Sequence, residues 1–215
     1  MSILRRARYV FLVSLLLSIC NPAPAQNADS NANTSDDDET VLHEGKWIRS
    51  IQSSLIEEKF DDLDRMADQY RRDKSRLPGG DWRLHVFYLA LDAPQLSDQD
   101  TRDHLAHLEH WTQERPASVA ARIALATSLG RWAWVARGNG YARSVTAEGW
   151  RLFNERIRQS QTVLEAAANM TPMCPQWYSE MMTVGLAQNW DSPRMKEIFE
   201  QGIQFEPTER SLREQ

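Results

Sequence analysis

From Thr40 onward, apolar residues recur at helical spacing with polar residues between them. Trp47, Ile51 and Leu55 share one face, and Phe60, Leu63, Ala67 and Tyr70 follow at i, i+3, i+7 and i+10. Pro78-Gly79-Gly80 is a stop. Trp82–Leu91 (WRLHVFYLAL) is apolar on nearly every side. A buried strand would read this way too, but the length and the Leu and Ala content favour a short buried helix. Ser97 to Asp100 gives an S-x-x-D cap ahead of Leu105, Leu108 and Trp111, and Pro116 closes that element. Leu125, Leu129, Trp132 and Ala136 form a longer stripe that ends at Gly138-Asn139-Gly140. Trp150, Phe153, Ile157, Leu164 and Ala167 form another, which stops near Pro172 and Pro175. Trp177, Met181 and Val184 mark a seventh helix. Ser192-Pro193, with the proline at the first helical position, opens an eighth whose stripe is Met195, Phe199, Gly202 and Phe205. Sustained apolar/polar alternation is absent, so the pattern predicts an all-α chain.

The helices read as pairs, and two second members share a phase. Ser160-x3-Leu164-x2-Ala167-x4-Pro172 returns 35 residues later as Met195-x3-Phe199-x2-Gly202-x4-Pro207. That is the second-helix pattern of a tetratricopeptide (TPR) repeat: a knob, a small residue where the neighbour approaches, then a proline at the turn. His104, Leu108, Trp111 and Pro116 echo it more weakly. The first helices fit poorly. The expected architecture is therefore antiparallel helical hairpins stacked as a TPR-like array.

The first 25 residues read as an address. Arg5, Arg6 and Arg8 precede the apolar run Val10–Cys20, and Ala23-Pro24-Ala25 is a small-residue cleavage pattern. The run is shorter than the roughly 20 residues a membrane-crossing helix needs. Cleavage after Ala25 would release a periplasmic or secreted chain. A buried N-terminal core helix is the bland alternative, and lipoprotein processing at Cys20 is another, with bulky Ile19 against it. Residues 26–39 (QNADSNANTSDDDE) read as a disordered acidic leader and 40–215 as the helical domain.

Composition then narrows the function. The 215 residues carry 25 Lys+Arg against 30 Asp+Glu. Removing residues 1–25 takes away three arginines and no acid, leaving 22 against 30, a formal charge of −8. An acidic chain is a poor nucleic-acid binder, since phosphate contacts need clustered Lys and Arg. Two cysteines exclude a disulfide scaffold, and past residue 25 only Cys174 remains. No later segment approaches 18 consecutive apolar residues, so no transmembrane span is expected.

Four stretches carry a family resemblance: Leu77–Tyr88 (LPGGDWRLHVFY), Pro116–Ala126 (PASVAARIALA), Trp134–Phe153 (WVARGNGYARSVTAEGWRLF) and Cys174–Trp190 (CPQWYSEMMTVGLAQNW). Through them the chain resembles the DUF4034 family over roughly residues 60–207. The resemblance implies an exported, helical, TPR-like protein and brings no catalytic residue with it. It also implies more helix past the Phe205-Glu206-Pro207 equivalent, where this chain ends eight residues after Pro207.

Candidate chemistry is thin. His104, His107 and His110 fan over about 120° of a helix. No spacing supplies a third metal ligand, so they are expected on a solvated face. Gly138-Asn139-Gly140-Tyr141 lacks the Lys-Ser/Thr of a phosphate loop and reads as a tight turn. Cys174 at a helix start would have a lowered thiol pKa, yet it has no partnered base and reads as structural. Trp132 and Trp134 lie about 200° apart, so both cannot face one core. Trp132, Trp134, Tyr141, Trp177 and Tyr178 are therefore candidate interaction residues. Ile203 and Phe205 join them as a C-terminal edge that would self-associate or meet a partner. The expectation is a protein- or peptide-binding adaptor with no cofactor and no metal. The alternatives are an envelope enzyme, as a metal hydrolase at the three histidines or a cysteine enzyme at Cys174, and a purely structural envelope protein.

Overall fold

The computed structural model describes residues 34–92 and 97–205, with side chains from residue 43 in the first stretch. The address with its Ala25 cleavage, Cys20 and residues 26–33 lie outside the described residues. The chain divides into two compact units, Met1–Asp37 and Asp38–Gln215, and the rest of this description concerns the second. Its elements are α1 (Thr34–Ile56, of which the residues from Asp38 onward belong to this unit), α2 (Phe60–Asp73), α3 (Arg83–Ala90), α4 (Asp98–Glu114), α5 (Val119–Arg137), a 3-10 turn (Ala142–Ser144), α6 (Ala147–Ala167), α7 (Pro175–Ala187) and α8 (Ser192–Phe205). The described residues are all-α. Within Trp82–Leu91 the eight residues Arg83–Ala90 form a helix, and the bridge between Arg76 and Trp82 stands alone among the described residues.

Two boundaries differ from the sequence reading. Helix α1 begins at Thr34, inside the stretch read as a disordered leader. Asp36, Asp37 and Asp38 fall in its first turns, where carboxylates favour the partial positive charge of a helix start. At α8 the cap is Asp191, not Ser192: Asp191 Oδ1 accepts the Arg194 N–H at 3.0 Å. The Ser97 cap read from the sequence is present, and two further side-chain caps join it. Ser97, Ser118 and Thr146 accept the N–H groups of Asp100, Ala121 and Gly149, each satisfying an otherwise orphaned donor.

Helices α5 and α6 pack along their length in antiparallel register. Ser160 Oγ donates to the Ala126 carbonyl at 2.8 Å and Arg156 Nη1 to the Trp132 carbonyl at 2.9 Å, so pairs converge from the two ends. Helix α7 lies on both α5 and α6, and α8 lies on α7. The repeated pattern maps onto α6 and α8, with Ser160, Leu164, Ala167 and Gly202 buried. The pairing fails at α3 and α4. Among the described residues α4 packs on α5, while α3 packs on α2 and α5, so these two do not form a close hairpin. Eight residues give α3 too little length to carry a hairpin seam.

The core runs the length of this unit. Phe60 stacks on Trp111 (centroids 6.1 Å, planes 8° apart), and Trp47 Nε1 donates to Tyr70 Oη at 2.9 Å. The C-terminal edge is half covered. Met195, Ile198, Phe199 and Ile203 are half-buried and Phe205 is 45% exposed. Among the described residues no helix is long and apolar enough to cross a membrane.

Candidate functional site

Helix α7 is apolar and buried except along one polar line. Gln176, Glu180 and Thr183 sit at i, i+4 and i+7, which stacks them on one face. That face meets Thr127 and Arg131 of α5, again four apart, and His85 and Leu89 of α3. Together they line a pocket of about 340 Å³, with Trp134 as part of its wall.

Its polar groups form a chain. His85 Nδ1 lies 3.1 Å from Gln176 Oε1, and Gln176 Nε2 donates to Glu180 Oε1 at 2.8 Å. The amide orientation makes His85 Nδ1 the donor and leaves Nε2 as an acceptor. The Thr127 hydroxyl lies beside the Glu180 carboxyl and donates its own proton to the Ile123 carbonyl at 2.9 Å. Burial pushes Glu180 above the usual carboxylate range, while Gln176, Thr127, His85 and Arg131 pull it partly back. Arg131 Nε is paired with Asp92 Oδ2 at 2.6 Å. The arrangement can hold a proton on a carboxyl at the junction of three helices. It can equally present that carboxyl to a cation.

A second, more apolar groove of about 640 Å³ lies on the other side of α5, between α4 and α6, and Trp132 lines it. Trp132 and Trp134 thus face opposite sides of α5. Trp134 is 39% exposed, with its ring edge-on to Phe153 at 4.9 Å. Tyr141, just past the turn, is 80% exposed, and Gly138 makes that turn at φ +72°.

Trp177 and Tyr178 are core residues, contrary to the reading of them as surface. α7 is enclosed by α5, α6 and α8. Trp177 Nε1 donates to the buried Leu164 carbonyl at 2.7 Å, and the Tyr178 ring lies 5.7 Å from Phe205.

The three histidines do not share a solvated face. His104 is half-buried with Nε2 2.8 Å from the Leu91 carbonyl, and burial lowers its pKa. His107 is half-buried too. His110 pairs with Glu58 at 3.1 Å and meets the Phe60 ring edge-on. Leu91, just past α3, and Glu58, just before α2, supply these partners. Among the described residues no three His, Cys, Asp or Glu side chains come together as a metal site. Cys174 is fully buried with Tyr88 Oη 3.4 Å from its Sγ, and burial pushes the thiol up.

Sequence reasoning missed the groove formed by His85, Thr127, Arg131, Gln176 and Glu180. The available signal was polar residues four apart inside helices otherwise made of core residues.

No curated protein and no solved structure is detectably similar to the chain. Residues 47–214 match the family described as "Domain of unknown function (DUF4034)", and the chain belongs to that family.

Proposed function

We propose that this protein is exported and binds a segment of protein or peptide in the groove between α3, α5 and α7. One observation carries the reading: a pocket at the meeting of three helices that combines a chain of hydrogen-bonded polar groups with exposed apolar ones. Gln176, Thr127 and Glu180 offer donors and acceptors, while Leu89 and Trp134 offer exposed apolar surface at the rim. Helical arrays use such faces for extended segments, where main-chain amides need polar partners and side chains need pockets. Export rests on the basic start, short apolar run and Ala23-Pro24-Ala25. Binding is favoured over catalysis because Cys174 is sealed and its thiol pushed up, and because His104 and His110 are engaged by separate partners. The half-covered edge of α8 at Ile203 and Phe205 would serve as a second contact surface, including between copies.

The test is site-specific photo-cross-linking in cell envelopes. A cross-linking side chain at Leu89, on the groove rim, is expected to capture one discrete segment of a partner. The same group at Arg158, on the exposed side of α6, should capture none, and Trp134→Ala should weaken the Leu89 product. Equal capture from both positions would overturn the groove as the binding face.

A further inference from the structure

Resting on that reading, we infer that the Glu180 pocket receives the cationic head of a lysine or arginine side chain from the bound polypeptide. Among the described residues the contacts of the Glu180 carboxyl are neutral: Gln176 Nε2 at 2.8 Å and the Thr127 hydroxyl. The charged and titratable groups facing it are His85 from α3 and Arg131 from α5. His85 is held through the Gln176 amide, and Arg131 is matched by Asp92, whose carboxylate is itself mostly buried. Among the described residues, an ionised Glu180 therefore has no cation in direct contact.

A buried carboxylate without a cation is costly, and the usual response is to keep a proton. The geometry accommodates both states: a Thr127 hydroxyl that gives its hydrogen to Ile123 can accept one from the carboxyl, and can turn to donate to the carboxylate once that proton has left. Where the carboxyl holds its proton, an arriving ammonium or guanidinium replaces it. Glu180–COOH and the ligand cation become a carboxylate–cation pair, and one H⁺ leaves to solvent. Trp134 and Leu89 can cover the methylenes behind the charged head. The chain's net charge of −5 steers basic segments toward it. A ligand carboxylate would meet a carboxyl instead, which disfavours acidic segments.

Isothermal titration of the chain with acetyl-Ala-Ala-Lys-Ala-Ala-amide and its norleucine counterpart tests this. The lysine peptide is expected to bind about tenfold tighter than the norleucine peptide near pH 8. That preference should shrink as the pH falls, and over the range in which it shrinks lysine binding should release a proton, read as a dependence on buffer ionisation heat. Glu180→Gln keeps hydrogen-bonding capacity toward Gln176 and Thr127 but not the charge, so it should erase the preference. A preference that survives Glu180→Gln would overturn the inference, as would the absence of saturable lysine-peptide binding. Equal binding of both peptides, weakened by Trp134→Ala, sinks the cation but leaves the groove standing. If neither peptide binds and Leu89 captures nothing, both readings fall.

Discussion

The guanidinium carbon of Arg156 lies 3.3 Å from the centroid of the Trp132 ring, and Arg156 Nη1 donates to the carbonyl of the same tryptophan at 2.9 Å. The indole Nε1 of Trp132 donates in turn to Asp98 Oδ1 at 3.0 Å. One α5 side chain thus holds a cation from α6 on its face and an anion from α4 at its edge. Arg156 is only 5% exposed. Burial lowers its pKa, and Asp98 and then Glu155 raise it. The ring does the work of a counter-charge placed too far away to touch.

Removing Trp132 should therefore cost more than its lost area, because Arg156 stays behind with a bare face. Trp132→Ala is expected to destabilise by about 3 kcal/mol or more. Arg156→Met retains much of the stem's packing and should cost less. The double variant should recover about 1–2 kcal/mol of the sum, the coupling of a desolvated cation with an aromatic face. Urea unfolding of the four proteins measures it. Additive losses would mean that the stacking contributes nothing.

The α5–α6 seam makes a sharper steric prediction at two glycines. A Cβ on Gly149 would stand 2.8 Å from the Ala136 carbonyl oxygen, a backbone atom that cannot swing away. A Cβ on Gly130 would stand 3.7 Å from Ser160 Oγ, an ordinary contact. Gly149→Ala should cost about 1–3 kcal/mol through overpacking. Gly130→Ala should be neutral or stabilise by up to about 1 kcal/mol, because alanine is the better helix former. Thermal unfolding of both variants checks the contrast, and a destabilised Gly130→Ala would show that the helices sit closer than described.

The same seam shows what the sequence could and could not convey. Periodicity located the helices because burial repeats with the helical turn, as at Phe60, Leu63, Ala67 and Tyr70 of α2. It also put Trp132 and Trp134 on opposite sides of α5, which follows from helical geometry alone. It could not separate Trp177 and Tyr178 from surface aromatics, because α6 at Leu164 and α8 at Phe205 engage them through tertiary packing. The histidines were misjudged for a similar reason: Leu91 and Glu58, which engage His104 and His110, lie 13 and 52 residues away. The pocket was hardest to foresee, since Gln176 and Glu180 gain meaning only when α3, 91 residues upstream at His85, arrives beside them.

Two buried groups should tilt stability against pH in opposite directions. Burial holds His104 below its ordinary value of 6.5, so the unfolded chain takes up that proton first. The stability His104 contributes is present above about pH 6.5 and is lost as pH falls through its folded value. His104→Gln can still donate to the Leu91 carbonyl, so it should flatten the acid side of the profile. Glu180 is the reverse case. Burial lifts it above 4.5, so on raising the pH the unfolded chain releases this proton before the folded one. Its contribution is complete below about pH 4.5 and is lost as pH rises through the folded value. Asp64, also raised by burial, adds the same trend to every variant and cancels in the differences. Glu180→Gln, which cannot ionise, should therefore gain on the wild type as pH rises toward neutrality. Urea midpoints of the three proteins between about pH 4 and pH 8 give both differences. A Glu180→Gln profile parallel to the wild type across that range would mean that the carboxyl titrates as if in water. The groove would then hold no proton for a cation to displace.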